Sequence, residues 1–303
     1  MAIIRTPEER FLNLSNYPFK PNYVDINDAR VHYVDQGSGE VILCLHGEPS
    51  WSYLYRHMIP PLSQYFRVIA PDFIGFGRSD KFTEPEEYSF EMHMNTLSSF
   101  IESLQLEQIT LVVQDWGGLI GLGVLADMPE RFARVVIMNT GLPTGETPPT
   151  KGFLTWRKYA ERTTDLPVGQ IIRRSLAPGN ELPEDVIAAY DAPFPTEEYK
   201  AGAQVWPLLV PINIDDPGAA QMRKAKEVLQ NWNKPAFVAF SDSDPITRGG
   251  DRFFKKIIPT ADREPEVVIE QAGHFLQEEK GNEIAEHIIA FVKRNPVKIH
   301  SID

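Results

Sequence analysis

Short β-branched apolar runs alternate with longer amphipathic stretches along most of this chain. Arg30 to Val34, Val41 to Leu45, Arg67 to Ala70, Ile109 to Gln114, Arg134 to Met138, Ala236 to Phe240 and Pro265 to Ile269 read as strands. Between and after them, Tyr53 to Leu62, Phe90 to Leu104, Leu119 to Asp127, Ala219 to Trp232 and Asn282 to Arg294 read as helices. Ser89 is a natural cap for the second of these, and Met92, Leu97, Phe100, Ile101 and Leu104 fall on one face, as core residues should. Strand and helix in alternation predict an α/β domain with a mostly parallel central sheet flanked by helices.

The pattern breaks between about Gly141 and Asp216. Prolines 143, 148, 149, 167, 178, 183, 193, 195, 207, 211 and 217 crowd this stretch and its border, together with Phe153, Trp156, Tyr159, Tyr190, Phe194, Tyr199 and Trp206. Proline cuts helices short, and the aromatic load needs a surface to bury against. We therefore expect a cap of short helices over residues 142–216, inserted after the sixth strand of a main domain formed by 1–141 and 217–303. An independent helical domain is the competing expectation, but so short and proline-rich a piece would make a weak core.

Composition narrows the setting. With 303 residues, 42% of them hydrophobic, the chain can bury a substantial core. A net charge of -12 and a pI near 5.1 argue against nucleic acid or an anionic membrane as partner. The single cysteine, Cys44, excludes an internal disulfide and sits in an apolar run that predicts a buried strand. Arg5, Glu8, Glu9 and Arg10 interrupt any secretory apolar segment, and no run approaches the roughly 18 apolar residues that would span a bilayer. The expectation is a soluble, cytoplasmic protein acting as a monomer.

Candidate chemistry begins at Val113-Gln114-Asp115-Trp116-Gly117-Gly118. Asp115 falls between a predicted strand and a predicted helix, the position from which a nucleophile elbow pushes one side chain out over the sheet edge. A surface Asp capping a helix is the plain alternative. Val113 stands where such elbows usually have a small residue. A base is expected on a loop after the last strand, and among the seven histidines His274 meets this condition. His57, His93 and His287 fall in helical patterns, His32 in a strand and His300 near the chain end. The orienting acid should follow an earlier strand: Asp244, before Pro245, is the choice, with Asp242 second, while the competing strand end reads Asn139-Thr140-Gly141 and offers no acid. Oxyanion donors would be the backbone N–H groups of Glu48 and Trp116, with His46 shaping the loop. The Glu48 carboxylate would disturb Asp115 unless turned away and paired. Gly75 to Asp80 lacks a phosphate-binding pattern and reads as a tight surface loop. No residue spacing calls for a metal or cofactor.

Asp115, Asp244 and His274, together with the segments His46 to Arg56, Ala70-Pro71-Asp72, Gly75 to Asp80, Gln114 to Gly118 and Ala272-Gly273-His274-Phe275, give the chain a resemblance to the α/β-hydrolase superfamily along its whole length. More narrowly it resembles the haloalkane dehalogenases, in the subfamily with an Asp-His-Asp triad and a cap tryptophan as second halide donor. In the cap, Gly152 to Arg157 and Tyr190 to Pro195 resemble that subfamily's landmarks. The resemblance implies a small halogenated alkane as substrate, a halide ion as product, attack by Asp115, hydrolysis by His274 with Asp244, and a halide held by Trp116 and Trp156.

Three other functions compete. An epoxide hydrolase would share the Asp nucleophile but needs hydroxyl donors, for which Tyr159, Tyr190 and Tyr199 are candidates. A fluoroacetate dehalogenase would carry arginine where Trp116 stands. A silent ligand receptor on the same scaffold would tend to lose a triad member, and none is missing.

Overall fold

Each expected strand forms, with only its ends shifted. In chain order the strands are β1 (Ile3–Ile4), β2 (Asn22–Ile26), β3 (Ala29–Gln36), β4 (Val41–Leu45), β5 (Arg67–Pro71), β6 (Lys81–Phe82), β7 (Ile109–Gln114), β8 (Phe132–Met138), β9 (Ala236–Ser241) and β10 (Val267–Ile269). The helices are α1 (Ile59–Ser63), α2 (Phe90–Ser103), α3 (Trp116–Asp127), α4 (Lys151–Arg162), α5 (Val168–Arg174), α6 (Glu184–Asp191), α7 (Ala201–Leu209), α8 (Ala219–Gln230), α9 (Gly250–Ile257) and α10 (Leu276–Arg294). This is a computed structural model, and it describes residues 2–297; His300 lies outside them.

Eight strands form one sheet in the order β10-β9-β8-β7-β4-β5-β3-β2. From β10 to β5 all neighbours are parallel, whereas β3 runs antiparallel to β5 and β2 antiparallel to β3. β4 and β7 are buried along their whole length, which explains why they read as unbroken apolar runs rather than alternating ones. β2 escaped the sequence reading because it is an edge strand with most positions only half-buried. Asn27 and Asp28 turn it into β3, both at positive φ, as a two-residue hairpin requires. β1 and β6 pair as a two-residue ribbon, too short to show any period.

Three local expectations change. Tyr53 to Leu62 is not one helix but a 3₁₀ turn, Ser52–Tyr55, followed by α1, because Pro60 and Pro61 suit the first turn of a new helix and cannot extend an old one. The last helix starts at Leu276, ahead of the expected Asn282, and is broken at Lys280. Gly75 to Asp80 is tight but largely buried: it wraps the Asp72 carboxylate, which accepts N–H groups of Arg78 and Ser52 and faces His32 Nδ1 at 2.7 Å.

β8 is the sixth strand of the main sheet, and α4 to α7 follow it without an intervening strand. These helices share one apolar core with the sheet domain. Trp206 of α7 is fully buried against Phe73 and Phe76, and Tyr190 of α6 is fully buried against Tyr53. These four helices therefore pack on the sheet through one shared core.

Candidate active site

β7 ends at Gln114 and α3 begins at Trp116, so the chain reverses within a single residue, Asp115. Its φ of 52° and ψ of -126° are seldom adopted by a residue with a side chain, at a cost on the order of 1–3 kcal/mol. Neighbouring groups hold it there: Asp115 N–H donates to the Asn139 carbonyl at 2.9 Å, and Thr140 Oγ1 donates to the Asp115 carbonyl at 2.6 Å. The elbow also needs close backbone approach. A Cβ on Gly117 would stand 2.2 Å from the Leu45 carbonyl oxygen, and one on Gly47 would stand 2.3 Å from the Asp115 Cβ. Val113 is accommodated because Gly121 faces it from α3, where a Cβ would meet the valine at 2.9 Å.

The structure brings together residues from four strand ends. Asp115 Oδ1 accepts the Glu48 N–H at 2.8 Å from the loop after β4. Asp115 Oδ2 lies 3.3 Å from His274 Nε2, on the loop after β10. His274 Nδ1 lies 2.9 Å from Asp244 Oδ2, after β9. Asp242, the second choice, points elsewhere and accepts the Gln271 N–H at 3.0 Å. The end of β8 supplies no acid but supplies order: Asn139 Nδ2 donates to the Gly273 and His274 carbonyls at 3.0 Å each, and to Ser241 Oγ at 2.7 Å.

Burial alone would lower the His274 pKa, but Asp244 and Asp115 together raise it to about 10. Burial likewise opposes ionisation of Asp244, yet the charge on His274 and donation from Thr247 and Ile246 hold it below its ordinary value. Glu48 is different. It is buried, its Oε1 has no hydrogen-bond partner among the described residues, and desolvation followed by the nearby Asp115 charge pushes its carboxyl well above the usual range. Both effects favour the neutral carboxyl, which would lessen its conflict with Asp115. His46 does shape its loop, with Nδ1 at 2.9 Å from the Gly47 carbonyl and Nε2 accepting the Phe73 N–H.

Asp115, Trp116, Glu48 and His274 open onto a cavity of about 350 Å³. Its far walls are mostly apolar or aromatic, with Leu119, Leu142, Phe153, Ile171, Pro207, Val210 and Phe253. Trp116 is nearly buried beside Asp115, and Trp156 of α4 reaches the same cavity from the cap, stacked on Tyr159. Neither indole N–H has an acceptor among the described residues. The Trp116 backbone N–H makes no hydrogen bond to the Asp115 carboxylate, so of the two expected oxyanion donors only Glu48 is engaged.

A family model for the alpha/beta hydrolase fold matches residues 40–281. A haloalkane dehalogenase of Psychrobacter cryohalolentis is 46% identical over 98% of this chain and 100% of its own length, and one of Mycobacterium marinum is 45% identical over 96% and 100%. The chain belongs to the haloalkane dehalogenase family. Among solved structures, the tetrameric haloalkane dehalogenase DpaA of Paraglaciecola agarilytica NO2 superposes with a TM-score of 0.90 at 40% identity, covering 100% of both chains.

Within this haloalkane dehalogenase fold, sequence reasoning missed the residues that tie down the His274 loop and the helix after it. His274 N–H donates to the Ser175 carbonyl of the cap at 2.9 Å. Glu279 accepts the Gly273 N–H at 2.6 Å and the cap's Ala177 N–H at 2.9 Å. Glu278 takes a bidentate ion pair from buried Arg56 and the Tyr190 hydroxyl, each at 2.5–2.6 Å. The run Glu278-Glu279 directly after the histidine loop was the only available signal. Among the described residues no helix is long and apolar enough to cross a membrane, and no cluster of His, Cys, Asp and Glu could hold a metal ion.

Proposed function

We propose that this protein hydrolyses haloalkanes to an alcohol, a halide ion and a proton through an alkyl ester on Asp115. The observation that carries this reading is the placing of Asp115. One carboxylate oxygen is fixed by the Glu48 amide and the other faces His274, at the wall of an apolar cavity that Trp116 and Trp156 also line.

With Oδ1 held by the Glu48 amide, Oδ2, which faces His274, is the oxygen left to attack. It forms the new C–O bond as the carbon–halogen bond breaks in line, and the halide departs toward the two indole N–H donors. His274 then takes a proton from water while the water oxygen attacks Cγ of the ester. Negative charge gathers on Oδ1, where the Glu48 amide already points and the Trp116 amide can join it. Collapse breaks the Cγ–Oδ2 bond, and the departing alkoxide takes the proton of the hydroxyl just added to Cγ. The alcohol leaves carrying Oδ2, while Asp115 is regenerated as a carboxylate that keeps the water oxygen. Asp244 keeps the imidazole oriented through Nδ1.

The epoxide hydrolase reading loses its acids. Tyr190 is fully buried and donates to Glu278, Tyr159 stacks on Trp156 toward solvent, and Tyr199 packs on the core; none of the three lines the cavity. Halide release from butyl bromide, measured beside hydrolysis of styrene oxide, tests the choice: release of bromide with little diol supports the proposal, and the reverse overturns it.

We assign the cap to residues 142–216 and the main domain to 1–141 and 217–303. The functional unit in this proposal is a monomer. Light scattering would show the mass of one chain, and a tetramer like that of the Paraglaciecola relative would refute this.

A further inference from the structure

Trp206 is fully buried on α7 yet does not line the cavity. It fills a cage on the main domain, with ring centroids 4.3 Å from Phe76, 4.7 Å from His93 and 5.4 Å from Phe73. It also stacks on Trp116 at 4.7 Å, with 29° between the planes, while Phe90 approaches Trp116 at 5.8 Å. The Trp206 N–H donates to His93 Nε2 at 2.6 Å.

His93 is an odd choice for this place. It is fully buried on α2, and its Nδ1 has no partner among the described residues. Burial pulls its pKa down to about 3, with His46 adding to the effect, so the ring is neutral. Because Nε2 accepts, the ring proton sits on Nδ1 and is left unpaired. An apolar residue would fill the space without that penalty. What the imidazole adds is one acceptor, and the Trp206 N–H uses it.

We propose that His93 and Trp206 are positioning residues for the leaving halide: their hydrogen bond fixes the plane of Trp206 and keeps its N–H out of the cavity, and the stacked Trp206 ring fixes the indole of Trp116. This rests on the reading of Trp116 as a halide donor. Hydrogen bonds weaken steeply as the donor swings off axis, so an indole clamped between Trp206 and Phe90 holds its N–H direction where a free one would not. The halide site is then assembled across the seam between α2, α3 and the cap.

Inhibition of butyl bromide hydrolysis by sodium bromide reads halide affinity without relying on tryptophan emission. His93→Leu should raise the bromide inhibition constant about tenfold, the scale of one displaced hydrogen bond. His93→Gln, whose side-chain oxygen can reach the same N–H, should restore it to within about twofold. Trp206→Phe should raise it as His93→Leu does, and the double variant should be no worse than Trp206→Phe alone. A merely structural role would lower the melting temperature of His93→Leu and leave the constant where it was, which would overturn the inference; where His93→Leu does not fold, an unchanged constant in Trp206→Phe overturns it equally. Trp116→Phe measured alongside separates the two claims. Bromide affinity unaffected by that change removes the halide reading and this inference together, whereas a weakened Trp116→Phe beside an unaffected His93→Leu removes only the inference.

Discussion

His274 Nε2 stands 3.3 Å from Asp115 Oδ2, so in the proposed mechanism the base that must be neutral to activate water rests against the anion that must attack first. That contact orders the two steps. Burial alone would lower the His274 pKa, but Asp244 and Asp115 raise it to about 10, which favours an imidazolium before the reaction begins. Alkylation turns Asp115 into a neutral ester and removes one of the two anions. On the proposed mechanism the His274 pKa then falls, its proton leaves, and only then is the ring a base.

Proton release should therefore accompany ester formation and precede ester hydrolysis. A single-turnover experiment with a pH indicator, halide detection and quenched alcohol analysis should show the proton appearing after halide and before alcohol. Simultaneous release of proton and alcohol would contradict this order. The same shift has a stability consequence with a definite sign. A histidine raised above its ordinary 6.5 stabilises the fold fully below that pH, and the contribution is lost as pH rises through about 10.

Glu48 should behave as a neutral group. Glu48→Gln exchanges one uncharged side chain for another of the same shape, so kcat/KM should change by less than about threefold. Its carboxyl is raised in the folded state, chiefly by desolvation, so its stabilising contribution is complete below the ordinary 4.5 and is lost as pH climbs above it. The melting temperature of Glu48→Gln relative to the parent should accordingly rise with pH above 4.5. A gap that narrows with pH would mean a paired, ionised Glu48.

The sequence was most informative where chemistry and a strand end coincide. Asp115, Asp244 and His274 could be placed because β7, β9 and β10 are apolar runs whose ends are marked by turn residues. Supporting residues were not legible in that way. Asn139 looked like the absence of an acid, yet it ties the histidine loop to the elbow; its role depends on two carbonyls more than a hundred positions away. His93 looked like an ordinary helical histidine, because no local pattern announces a tryptophan arriving from α7. Val113 looked like a departure from the elbow, and only the close approach of α3 reveals Gly121 as its compensation. Long-range contacts of this kind have no period along the chain.

The buried ion pair between Arg56 and Glu278 gives a stability test. Arg56 and Glu278 are almost fully buried, so Glu278→Ala strands a guanidinium and should cost about 3–5 kcal/mol. Tyr190→Phe removes only one hydrogen bond to the same carboxylate and should cost about 1.5–3 kcal/mol. Denaturant unfolding of both variants checks the ranking, and a smaller loss for Glu278→Ala would contradict it.

The most direct test of the central claim is to remove the base and look for the ester. His274→Phe leaves Asp115 and the cavity in place but takes away the group that would activate water. Treated with butyl bromide, this variant should release one bromide per chain, stop, and carry a butyl group on the Asp115 peptide by intact-mass and peptide analysis. Bromide release that continues, or a folded variant that carries no adduct on that peptide, would contradict the mechanism.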